Sequence, residues 1–91
     1  MAEPIFLHWL LAFIADAEGK PTVAARYLER AVEKQPANAE AWRRLGRYRL
    51  TVRGDAKGAV QAFKAAYFLD PASDDSASDL IEATRVLRAK K

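Results

Sequence analysis

One set of small and apolar residues occurs twice in the chain. Gly19, Ala24, Leu28, Ala31 and Pro36 return 35 residues later as Gly54, Ala59, Phe63, Ala66 and Pro71. Leu11 and Ala12 return 34 residues later as Leu45 and Gly46. A unit of that size cannot bury its apolar face alone, so the copies must stack and cover one another. The change of period falls between Gly46 and Gly54, which places one additional residue in the second copy near the end of its first helix. The units then run over residues 5–38 and 39–73.

Each unit reads as a pair of helices. In the second, Asn38 suits an N-cap, and Trp42, Leu45, Gly46 and Leu50 supply a packing face over residues 39–52. Gly54-Asp55 makes the turn, because glycine takes positive φ without penalty. Asp55 caps a helix over residues 56–69 that packs through Ala59, Phe63, Ala66 and Tyr67, and Asp70-Pro71 stops it. Gly46, Ala59 and Ala66 are small where two helices must touch, and Leu69 fills space beside them. In the first unit Pro4 fits an opening turn. Leu11, Ala12 and Ala15, joined by His8, then face a second helix over residues 21–34 whose inner side is Ala24, Leu28, Ala31 and Val32. Met1–Glu3 reads as a frayed end. A polar connector over residues 70–78 leads to a last helix over residues 76–90, opened by a capping box of Ser76 with Asp79. Its apolar face is read as Ala77, Leu80, Ile81, Thr84 and Leu87.

The pattern of Trp42, Leu45-Gly46, Gly54-Asp55, Ala59, Phe63, Ala66 and Pro71 resembles the tetratricopeptide repeat family. The first unit departs from it, with His8 in the tryptophan place and Lys20-Pro21 in place of the aspartate after the glycine. The resemblance implies a single all-α domain over residues 1–91. It would be a right-handed superhelix of two helix-turn-helix repeats plus a C-terminal capping helix, five helices in all. It also implies a non-enzymatic module that binds a peptide or partner protein in its concave groove.

Composition narrows the chemistry. The chain has no cysteine, which excludes disulfides, thiolate metal sites and cysteine nucleophiles. The single histidine, His8, has no catalytic partner at a recognised spacing. Asp70, Asp74, Asp75 and Asp79 do not fit a calcium loop, which needs a central glycine, and no phosphate-binding glycine motif occurs. Neither a cofactor nor a metal is expected. A net charge of +3 is too small to argue for nucleic acid. The apolar run of residues 5–15 lacks the basic start of a signal peptide and is far short of the roughly 20 residues that span a bilayer. The compartment is unread, with the cytoplasm as the default.

Two surfaces emerge as candidates. On the first helix, Phe6, Trp9 and Phe13 form an aromatic stripe that continues to Asp16. Arg43 and Arg47 share a face of the third helix; Arg44 stands beside it and, with Arg49 and Arg53, points elsewhere. The family resemblance puts both groups on the concave side, where they suit a peptide bearing apolar residues and an acidic group. The chaperone-binding branch of the family clamps a terminal carboxylate with lysine and asparagine. The corresponding places here hold Trp9, Phe13 and Arg44, which argues against that class of partner. Leu7, Leu10 and Ile14 form another stripe of the first helix. A helix apolar on every side is normally surrounded by protein, so this stripe is a candidate self-association face and the chain a possible homo-oligomer.

Overall fold

The computed structural model describes residues 4–90. Among them lie five α-helices and no strand: α1 (Ile5–Ala17), α2 (Pro21–Lys34), α3 (Ala39–Thr51), α4 (Ala56–Leu69) and α5 (Asp74–Ala89). Met1–Glu3 fall outside the described residues. The helices form a superhelix in which each packs on its neighbour in sequence, with a slighter contact of α3 on α5. Contact between the hairpins, through α2 and α3, is less extensive than contact within either hairpin.

The repeated residues explain the stacking. Ala24 and Ala31 of α2, and their equivalents Ala59 and Ala66 of α4, are all fully buried. Without side-chain bulk at these places the helix axes can approach closely. Gly46 shows how close: a Cβ there would lie 2.6 Å from Cε1 of Phe63, whose ring is itself fully buried. Two clusters result. One joins α1, α2 and α3 around Ala12, Leu28, Val32, Ala41 and Leu45 and reaches α4 at Ala62. The other joins α4 to α5 around Ala59, Val60, Phe63 and Ala83. Among the described residues the backbone of α1 comes close to that of α2 alone, and the buried residues of α1 are His8, Ala12 and Ala15, the stripe expected to meet α2.

The turns follow the glycine rule, with φ of +74° at Gly19 and +65° at Gly54. Both first helices are 13 residues long. The additional residue of the second repeat therefore lies just past the end of α3, in the longer link at 52–55. Asn38 and Asp55 are N-caps that accept backbone N–H bonds, from Glu40 and Ala41 and from Gly58 respectively. Trp42 ties the inter-repeat connector by donating from Nε1 to the carbonyl of Pro36 at 2.8 Å.

Three expectations are corrected. First, α5 begins at Asp74, and its N-cap is Ser73, whose Oγ accepts from the N–H of Ser76. Ser76 is buried instead, and Asp79 makes long-range ion pairs. The packed face also differs from the expected one: the helix turns Asp79 in to Arg43 and Arg47, so that Ser76, Asp79 and Ala83 are buried and Ile81 is exposed. Second, Tyr67 lies outside the core: α4 buries Ala56, Val60 and Ala62 along with Ala59, Phe63 and Ala66. Third, Arg44, Arg49 and Arg53 do not simply point away. Arg49 donates to the carbonyl of Gly58 at 3.1 Å, and Arg53 reaches Thr22 at 3.5 Å.

Candidate functional site: a groove between the first helices of the two repeats

The helices α1 and α3 are not packed directly on each other. The gap between them is an open groove of about 500 Å³. Trp9, Phe13 and Asp16 of α1 form one wall; Glu40, Arg43, Arg44, Arg47 and Tyr48 of α3 form the other. Helical spacing of three and four residues brings each set onto one side of its helix.

Polar contacts cross the gap. The Arg44 guanidinium lies over the Trp9 ring, with Cζ 4.1 Å from the centroid, a cation–π geometry. Its Nε is also 3.2 Å from Glu40 Oε2. At the other end the Tyr48 hydroxyl donates to Asp16 Oδ1 at 2.9 Å. Burial, the bond to Asp16 and that carboxylate's charge together push the Tyr48 phenol up to about 12, Arg53 acting weakly in the other sense.

Beyond α3 lies a second such junction, with α5. Arg43 donates from Nε to Asp79 Oδ2 at 3.0 Å, and its Nη2 lies 2.9 Å from the same oxygen. Arg47 donates from Nη1 to Asp79 Oδ1 at 3.1 Å. The Asp79 side chain is only 9% exposed, and a carboxylate that deeply placed is tolerable only because both oxygens are paired. Arg43 also meets Glu40 at 3.4 Å and Asp75 at 3.9 Å. Burial lowers its pKa, but the Asp79 bond and the charges of Asp79, Glu40 and Asp75 outweigh this and raise it.

Of the residues singled out from the sequence, Trp9, Phe13, Arg43 and Arg47 line this one groove. Phe6 is exposed on α1 and is not among the lining residues. The arginines are unequal. Arg43 is engaged on three sides by carboxylates of the protein itself, whereas the Arg47 side chain is 55% exposed and bonded through Nη1. The stripe of Leu7, Leu10 and Ile14 also divides: Leu7 is half-buried, while Leu10 and Ile14 are 48% and 43% exposed. Tyr48 and Glu40 were missed as groove residues, while Asp16 and Arg44 were grouped with the two candidate stripes but given no role in the gap. The signal was present in the repeat itself, since Arg43 follows Trp9 by the 34-residue period and Arg44 is the next residue along.

The match to the tetratricopeptide repeat family model covers residues 11–78, and the chain belongs to that family. Its repeats generally mediate protein–protein interaction and are typically non-enzymatic modules. A search of curated proteins returned no match. No helix among the described residues is long and apolar enough to cross a membrane. Among the same residues no group of three or more His, Cys, Asp or Glu side chains is placed to hold a metal ion.

Proposed function

We propose that the groove between α1 and α3 binds an extended segment of a partner protein. An apolar side chain of that segment rests on Trp9 and Phe13, with Phe6 lengthening the aromatic surface along α1, and an acidic group meets Arg47 and Arg44. The observation that carries this reading is the juxtaposition of Phe13, 72% exposed, with an arginine from the other repeat that keeps donors beyond its internal bond. Arginine offers a planar fork suited to a carboxylate, and an exposed aromatic offers apolar area at little cost in side-chain entropy. Arg43 holds α5 and orients Arg47 through their shared aspartate.

The test is a peptide or partner titration against Arg47→Glu and Phe13→Ala. Each variant is expected to weaken binding at least tenfold. Phe13→Ala should leave the thermal midpoint little changed because that side chain is largely solvated, whereas Arg47→Glu strips Asp79 Oδ1 of its partner and should lower it, so Phe13→Ala is the stability-matched test. Undiminished binding by both variants rejects the reading.

A second reading, homo-association through α1, is supported by the exposure of Leu10 and Ile14 beside Phe6 and half-buried Leu7. Burying two such aliphatic side chains is worth roughly 1.5–3 kcal/mol each. Sedimentation velocity should then show a concentration-dependent mass that Leu10→Glu abolishes. A constant monomer mass up to millimolar protein excludes it.

A further inference from the structure

Helices α1 and α3 flank the groove and α5 adjoins α3, and counting from their N-caps Pro4, Asn38 and Ser73 puts the three sequences in register. Six residues past the caps stand Leu10, Arg44 and Asp79; nine residues past stand Phe13, Arg47 and Glu82. These two positions are neighbours on one helix face. Two residues past the caps the same face carries Phe6, Glu40 and Asp75. All nine are exposed except Asp79, which is buried in its pairs with Arg43 and Arg47. The face therefore changes character from helix to helix: apolar on α1, mainly basic on α3, wholly acidic on α5. The order is spatial as well as sequential. Arg44 lies over Trp9 of α1, while Arg43 and Arg47 bond Asp79 of α5, so α3 stands between the other two.

We propose that this surface selects an extended peptide by the order of its side chains, apolar against α1, acidic against α3 and basic against α5. The inference rests on the groove reading above and adds a third contact and a required order to it. Two observations favour this chemistry. Arg47 and Arg44 favour a carboxylate at the centre and repel a cation there. The exposed Asp75 and Glu82 do the reverse one helix further on. Packed helices such as α3 and α5 stand roughly 10 Å apart, and an extended chain advances about 3.3 Å per residue, so the acidic and basic side chains fall about three residues apart and the apolar one, across the open groove, no closer than that.

The test uses two synthetic serine-based peptides. One carries Phe, Asp and Lys at every third place; the other has Asp and Lys exchanged. Reversal of chain direction cannot rescue the exchanged peptide, since its cation stays central. Affinity is measured by fluorescence anisotropy at low ionic strength, where surface charges are least screened, and the contact is mapped by amide and indole NMR shifts. The acid-centred peptide is expected to bind at least tenfold tighter. Arg47→Glu should invert that preference, and the double change Asp75→Lys/Glu82→Lys should remove the contribution of the lysine. Equal affinity for the two peptides, with shifts still centred on Trp9 and Phe13, overturns the order while leaving the groove reading standing. Shifts away from the groove, or none with either peptide, overturn both.

Discussion

Gly46 is a residue at which the two halves of the second hairpin come too close for a Cβ. Replacing it by alanine removes a helix-weakening glycine, a gain of about 1 kcal/mol. It also drives a methyl group into the Phe63 ring, which is buried with no room to retreat; overpacking of that kind costs about 1–3 kcal/mol. The clash should win, so Gly46→Ala is expected to lower stability by about 1 kcal/mol in urea unfolding. The Tyr48 phenol gives a test in alkali. Its pKa rises from 10.0 to about 12 on folding, so the protonated phenol favours the fold. That contribution is complete below pH 10 and is lost as pH climbs through 12. The stability of the wild type should therefore fall more steeply than that of Tyr48→Phe between those values, and parallel curves would refute the assignment.

At the level of single helices, α5 separates two serines that look alike on paper. Ser73→Ala deletes the cap and should cost about 1 kcal/mol. Ser76→Ala exchanges a buried hydroxyl, with no hydrogen-bond partner among the described residues, for a methyl group, and should be neutral or slightly stabilising. Chemical denaturation of the pair decides between Ser73 and Ser76 as the cap. The same helix shows where sequence stops being informative. Ser76 and Asp79 have the spacing of a capping box, and local pattern had no reason to reject it. What rules it out is the presence of Arg43 and Arg47 within 3.1 Å of Asp79, from 36 and 32 positions away respectively. The close-contact points of the hairpins, by contrast, were legible, because Ala24, Ala31, Ala59, Ala66 and Gly46 record their own packing in their size. A helical wheel could group Trp9 with Phe13 and Arg43 with Arg47. It could not tell that Arg44 would reach across to Trp9, since that depends on the placement of a different helix.

For the molecule as a whole, the second cluster is completed only from α5. Ala83 is fully buried there, and Leu80 and Leu87 pack beside it over Phe63 and Val60. A chain ended after Ser73 would leave that surface wet, in a protein too small to spare it. It is expected to bind a hydrophobic dye and to lose its cooperative thermal transition; a sharp transition within a few degrees of the full-length value would contradict this.

The slender α2–α3 junction bears on how the molecule fails. Pulled from its two ends, a chain with two well-knit hairpins and a thinner join should yield at the join first. The leading pair of rods would then peel off before the trailing three, in two rips where a uniformly knit domain gives one. Whatever grips both α1 and α3 would act as a splint across that fault, and the mechanical trace of a loaded sample should shift toward a single, later event.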